Sequence, residues 1–294
     1  VSILQTYDGK PYDLLVALHA RRSHSSIVSF RRHNAEAPVI VALTGTDLYR
    51  DVRTNHLARE SLEIATKIVV LQPKAIDELR PSLREKTYVI YQSLGGARES
   101  AAKTRAPKPQ RRERFSENFD VCVIGHLRTV KDPFRTAMAA RLLPRSSRIR
   151  VLQVGGAMTE ATAARARKEM LVNHRYEWLG ERSRSQVRRI LAKSWLCVLS
   201  SRMEGGANVL SEAIVASVPI LASRIDGNVG ILGEEYPGYF DVGDTKELEQ
   251  LLRCAETCPE FLTELSIRCK RLAALFAPER EEKAWADLVG ELAR

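Results

Sequence analysis

Short apolar runs of strand length alternate along this chain with amphipathic stretches of helix length, and no other feature restricts the fold as much. Strands joined through helical crossovers return to the same end of a sheet and pair in parallel. In the first third the apolar runs are 13–18, 39–43, 67–71 and 87–91, with helices predicted over 23–32 and 55–65 and a third opening at Pro73, a favourable first-turn residue. The opening run Val1-Ser2-Ile3-Leu4-Gln5 also reads as a strand.

Between 95 and 118 the periodicity stops and charge, Ala, Pro and Gly take over, which marks a boundary. A second alternating series follows. Its strands are predicted at 119–124, 148–154, 175–178, 195–199 and 219–222, and its helices at 133–143, 159–171, 184–193 and 208–216. Three helical stretches, 245–255, 260–276 and 279–292, close the chain with no further strand. With 294 residues, 44% of them hydrophobic, there is enough core for two domains. The expected division is 1–100, a linker at 101–118, a second domain at 119–276, and a last helix at 277–294 free to pack back on the first domain.

Composition removes several function classes. No stretch approaches the ~18 apolar residues of a membrane span, and nothing resembles a signal peptide. The five cysteines include no C-x2-C pair, so a reduced, cytoplasmic setting is expected and a structural metal site is not. The formal charge of +10 fits nucleic acid, an anionic surface or small anionic substrates equally well. Its distribution decides. The 46 Lys and Arg are spread over helix faces without interleaved aromatics, so no nucleic-acid partner is expected. There is no G-x-G-x-x-G and no G-x4-G-K-[ST], which removes dinucleotide oxidoreduction and P-loop hydrolysis, and no D-x-D pair to bridge a diphosphate through a metal.

Parallel sheets bind ligands beyond the carboxyl ends of their strands, and the residues there are rich in chemistry. The first domain supplies Leu18-His19-Ala20-Arg21-Arg22-Ser23 and Leu43-Thr44-Gly45-Thr46-Asp47-Leu48-Tyr49-Arg50. The second supplies Gly125 through Lys131, Gly155-Gly156, Gly180-Glu181-Arg182 and Ser200 through Gly206. Glu204 stands in a strand-to-helix loop, and Glu212 about two turns inside the helix that Gly205 and Gly206 open. Amides at such a helix start suit phosphate oxygens, and a carboxylate at Glu212 can accept from both hydroxyls of a ribose.

At this point the sequence resembles the group 1 glycosyltransferases of GT-B architecture, which carry an E-x7-E motif ahead of a helix and a small-residue strand. Here the motif reads Glu204-Gly-Gly-Ala-Asn-Val-Leu-Ser-Glu212-Ala, followed by Ala216-Ser-Val-Pro-Ile-Leu-Ala-Ser223. Leu18-His-Ala-Arg-Arg-Ser23, Leu43-Thr-Gly-Thr-Asp-Leu-Tyr-Arg-Asp51, Gly125-His-Leu-Arg128, Met203-Glu-Gly-Gly-Ala-Asn-Val209 and Ile225-Asp-Gly-Asn-Val-Gly-Ile-Leu-Gly233 extend the likeness to the selenosugar synthases of selenoneine biosynthesis. That resemblance implies an α/β fold of two Rossmann-like domains facing a central cleft, with C-terminal helices. It also implies C–Se bond formation between a UDP-sugar such as UDP-GlcNAc and selenophosphate. A further strand, loop and helix are implied ahead of Val1, and Gly206 stands where relatives often carry Phe, leaving room beside the sugar.

The resemblance distributes roles. Arg128 and Lys131 are expected to stabilise departing UDP, Glu204 to lie near sugar or nucleophile, and His19 to face the sugar from the first domain. Gly125, Gly180, Glu181, Gly205, Gly206, Asn208, Val209 and Glu212 complete the expected donor site. Arg21, Arg22, Thr44, Thr46, Asp47 and Arg50 are expected to receive selenophosphate. No resident cofactor or metal is called for; the expected partners are small-molecule substrates. An O- or S-glycosyltransferase with another acceptor and a non-catalytic nucleotide-sugar-binding protein stay open as alternatives.

Overall fold

The computed structural model describes residues 1–94 and 118–292. Four strands, β1 (Leu15–Leu18), β2 (Val39–Ala42), β3 (Lys67–Val70) and β4 (Thr87–Val89), form a parallel sheet in chain order. A second parallel sheet contains β5 (Phe119–Ile124), β6 (Ile149–Val154), β7 (Tyr176–Gly180), β8 (Leu196–Leu199), β9 (Ile220–Ser223) and β10 (Tyr239–Phe240), in the order β10-β9-β8-β5-β6-β7. The order turns around between β5 and β8, so the crevice at their carboxyl ends is the natural ligand position of this sheet.

Alternation along β2 and β3 buries both faces of the first sheet, as a parallel sheet requires. Val39, Val41, Ile68 and Val70 face the helices α1 (His24–His33) and α2 (His56–Ile64). Asn55 caps α2 by accepting from the amides of Leu57 and Ala58. Ile40, Ala42 and Val69 point the other way, where Leu288 from the last helix of the chain joins them.

The second sheet is flanked by α3 (Arg135–Ala140), α4 (Glu160–Val172), α5 (Arg184–Lys193), α6 (Asn208–Val215), α7 (Asp226–Leu232), α8 (Thr245–Thr257) and α9 (Pro259–Leu272). Its core runs from Phe119 to Phe276. The last helix, α10 (Pro278–Leu292), then crosses to the first sheet, where Glu291 accepts from Lys67 Nζ (2.6 Å) and the Tyr88 hydroxyl.

Several expectations are corrected. Val1–Gln5 forms no strand; Val1 and Ile3 are exposed, and no neighbouring strand pairs with this apolar run. The helix expected at Pro73 is a single 3-10 turn, Pro73–Ile76, followed by a short turn at Pro81–Arg84. Pro81 holds Arg80 extended (φ −58°, ψ 147°), which stops one helix from running through both. Both β10 and α7 went unpredicted: two residues show no periodicity, and Gly227 and Gly230 weaken the helical signal of α7.

Candidate active site

The two sheets present their carboxyl ends to one another, and the loops meet through glycines. A β-carbon on Gly45 would lie 2.5 Å from the Gly205 nitrogen, and one on Gly205 would lie 2.4 Å from the Gly45 nitrogen. Backbone therefore touches backbone where the loop after β2 meets the glutamate loop after β8. The space beside Gly206 is taken by Leu71 of the first domain, 2.9 Å from where a β-carbon would stand, rather than left open. Nearby, Lys74 pairs with Glu234 at 2.5 Å across the two domains.

On the second domain, Gly125 leaves β5 at φ +151°, a conformation that favours glycine. The chain then makes the 3-10 turn Thr129–Lys131. Ser200 fixes this turn by donating to the carbonyls of Lys131 (3.2 Å) and Asp132 (2.9 Å), while the Arg202 amide donates to Val130. Lys131 is thereby held against Glu204, with which it forms an ion pair, and Ser201 Oγ donates to the same Glu204 oxygen at 2.6 Å. Gly125, Lys131, Gln153, Ser201, Glu204 and Val209 line one cavity at the turnaround of the sheet.

Arg128 lies outside this cavity, exposed, and no ion pair holds its side chain among the described residues. Ala207 precedes α6 without a side-chain cap, so the amides of Asn208 and Val209 keep the donor capacity of an uncapped helix start. Glu212, one turn and more along α6, has no hydrogen-bond partner among the described residues. Burial raises its carboxyl pKa above the usual value, against the opposing charges of Arg188 and Arg184. Gly180 and Glu181 sit two strands away at the end of β7. There Glu181 Oε2 and His126 Nδ1 each come within 3.4 Å of where a Gly156 β-carbon would be.

On the first domain, His19 ends β1 in the left-handed region, φ +79°, unusual for a non-glycine. The imidazole is buried. Nδ1 contacts Asp47 Oδ1 of the π-helical turn Asp47–Asp51, and Nε2 has no hydrogen-bond partner and lies 3.9 Å from Asp51 Oδ2. Nδ1 also accepts from the Arg22 amide at 3.4 Å, so the ring sits between an amide donor and the Asp47 carboxylate. Burial pushes the Asp47 carboxyl up to about 6, even though the amides of Thr44, Ala20 and Arg21 stabilise its charge. Burial also lowers the His19 pKa, and the positive charge of Arg22 adds to the effect. Burial alone would raise the Asp51 carboxyl, but hydrogen bonds and charge from Arg50 and Arg21 outweigh it and hold the group below its usual range.

These placements sort the acceptor-side candidates. Asp47, fully buried, serves His19 and the Thr44 amide rather than an open surface. Arg21 and Arg50 are tied to Asp51, while Arg22 is exposed and without a side-chain hydrogen bond among the described residues. Thr44 leans on Asp47 through its hydroxyl (3.5 Å), and Thr46 opens the π-helical turn. Sequence reasoning passed over Asp51 and Ser201. For Ser201 the three-residue spacing to Glu204 was a signal; for Asp51 nothing in the order of residues showed a partner 30 positions away.

Among the described residues, His19, Asp47 and Asp51 set one ligand-type atom each within 4.8 Å of one another. Two arginines bind Asp51, and His19 with the amides of Thr44, Ala20 and Arg21 surrounds Asp47, which is the chemistry of a buried polar network. No described helix is long and apolar enough to cross a membrane.

Comparison with known proteins places this geometry. Anabaena Alr3699/HepE in complex with UDP superposes with a TM-score of 0.75 at 16% identity, over 95% of this chain and 79% of that one. Its complex with UDP-glucose gives 0.70 at 16%, over 95% and 79%. Sucrose-phosphate synthase from Thermosynechococcus elongatus gives 0.68 at 18%, over 96% and 74%. The fold is therefore that of the GT-B glycosyltransferases. No curated protein sequence matches the chain. The profile of the family described as glycosyl transferases group 1 matches residues 105–271, more than half of the 294. The chain belongs to the group 1 glycosyl transferases.

Proposed function

We propose that this glycosyltransferase moves a sugar from a UDP-sugar, UDP-GlcNAc or a close relative, to selenophosphate, and so acts as a selenosugar synthase. The observation that carries the reading is the pairing of Arg21 and Arg50 on Asp51 beside His19, with Arg22 next in the chain, at strand ends whose Gly45 loop touches the Glu204 loop. Three guanidinium groups suit an oxyanion substrate, since Arg matches phosphate oxygens in pairs. The sequence likeness to selenosugar synthases supports the choice of selenium, and the UDP and UDP-glucose complexes of Anabaena HepE support the donor.

In the proposed mechanism Glu212 accepts from the ribose hydroxyls and the amides of Asn208 and Val209 meet the diphosphate. The diphosphate draws Lys131 away from Glu204 and meets Arg128. Selenium attacks the anomeric carbon, forming C–Se as the C–O bond to UDP breaks and its electron pair leaves with UDP. Arg128 and Lys131 stabilise that developing charge. Water then cleaves the Se–P bond, giving phosphate and the 1-selenosugar. No proton has to be removed from an ionised selenium nucleophile, so His19 has a contact role toward the sugar. No metal is required in this scheme.

One other reading draws on the same arginines: a phosphorylated sugar as acceptor, a class also named in the sucrose-phosphate synthase to which the fold is similar. Mass spectrometry of products from UDP-GlcNAc incubated with selenophosphate, with phosphate, or with a hexose phosphate separates the two. The proposal expects a selenium-containing sugar with selenophosphate alone, and a disaccharide phosphate in its place overturns it.

A further inference from the structure

We propose that Asp51 is the positioning residue of a receptor for a tetrahedral, doubly charged oxyanion of phosphate type, formed by Arg21 and Arg50 beside His19. This deepens the reading above and rests on it for the identity of the acceptor.

Arg21 follows β1 and Arg50 lies in the π-helical turn after β2, so the two reach the cleft from neighbouring strands. Each binds the same carboxylate through Nε: Arg21 to Asp51 Oδ2 at 2.8 Å, Arg50 to Asp51 Oδ1 at 2.9 Å. Both oxygens of one buried carboxylate are thus used, and two like charges are held side by side. Their terminal nitrogens have no hydrogen bond among the described residues, and the side chains are 39% and 54% exposed. A guanidinium fixed at Nε keeps a planar edge for a second ligand, and two adjacent edges suit the oxygens of one tetrahedral anion.

The surroundings point the same way. Arg21 and Arg50 both bind Asp51, and burial, followed by the charges of Arg22, Arg21 and Arg50, lowers the proton affinity of His19. Nε2 of His19, itself buried and unpartnered, lies beside the same carboxylate. A bound dianion would relieve the repulsion between the paired arginines, whereas a neutral sugar hydroxyl would not. Inorganic phosphate, which the proposed reaction releases, should therefore compete with the acceptor and not with the UDP-sugar.

Calorimetry with inorganic phosphate as the probe, together with steady-state kinetics, tests this on the intact protein. Asp51→Asn is expected to weaken phosphate binding and raise the KM for selenophosphate about 10- to 100-fold, leaving kcat and the KM for UDP-sugar within about twofold. Arg50→Gln, on the exposed side of the pair, guards against misfolding of the first variant and should weaken phosphate in the same way. If both variants bind phosphate as tightly as wild type, or if phosphate competes with UDP-sugar instead, the receptor assignment is overturned. If phosphate binding depends on Asp51 but no selenosugar forms with wild type, the receptor stands and the acceptor reading alone falls.

Discussion

The side chains that matter at this site are held by neighbours before any substrate arrives. Lys131 rests on Glu204, His19 on Asp47, Arg21 and Arg50 on Asp51; Arg22 and Arg128 are exposed and without an ion pair among the described residues. Arg128→Ala is expected to lower kcat about 100-fold, the usual consequence of removing one donor to developing charge, with a much smaller change in UDP-sugar KM. Stopped assays of UDP release measure both. Asp47 makes a second prediction, on stability. In the unfolded chain its carboxyl ionises near the ordinary 3.8, and in the fold near 6, so the folded state holds its proton longer. Stability assigned to Asp47 is thus lost as pH rises from about 4 to about 6 and is flat above. Urea denaturation across that range should show wild type falling relative to Asp47→Asn by on the order of 2–3 kcal/mol; parallel curves would remove the raised carboxyl from the account.

At the scale of elements, the contact that decides most is Gly45 against Gly205. Gly45→Val places atoms where Gly205 backbone stands, so it should hold the two domains apart and reduce kcat/KM about 100-fold. Small-angle scattering would then give a larger radius of gyration, and an unchanged one would mean that the loops adjust locally. Elements were readable from sequence where the period was long enough: β5 and α5 lie where the pattern put them, at Phe119–Ile124 and Arg184–Lys193. The start of α5 is also signalled locally, since Ser183 and Gln186 cap one another. Failures came where tertiary contact decides. Val1–Gln5 has strand composition but no partner, and β10 exists because Tyr239 and Phe240 align with Ala222 and Ser223. The loops of the candidate site were picked out as strand ends, because open parallel sheets favour ligands there. The pairings inside them could not, because Arg21 and Asp51 meet only after β1 and β2 have paired.

At the scale of the molecule, α10 ties the end of the chain to the first domain. Leu288 is buried among Ile40, Ala42, Val69 and Ile90, and Glu281 accepts from the Ser93 amide at 2.7 Å. The helix therefore closes one face of the first sheet by non-covalent packing, while its own chain continues from the second domain. Leu288→Ala should cost about 2–5 kcal/mol in urea denaturation, as other fully buried leucines do, and should do so without altering UDP binding. A loss confined to activity would place α10 in the chemistry instead.

In the proposed reaction one cleft joins a UDP-sugar on the second domain to an oxyanion nucleophile on the first. Phosphorus NMR of a single reaction mixture follows both sides together. With UDP-GlcNAc and selenophosphate present, UDP should appear in step with loss of selenophosphate, and inorganic phosphate should follow in equal amount. UDP growing in while selenophosphate stays constant, or both substrates persisting unchanged, would contradict the account.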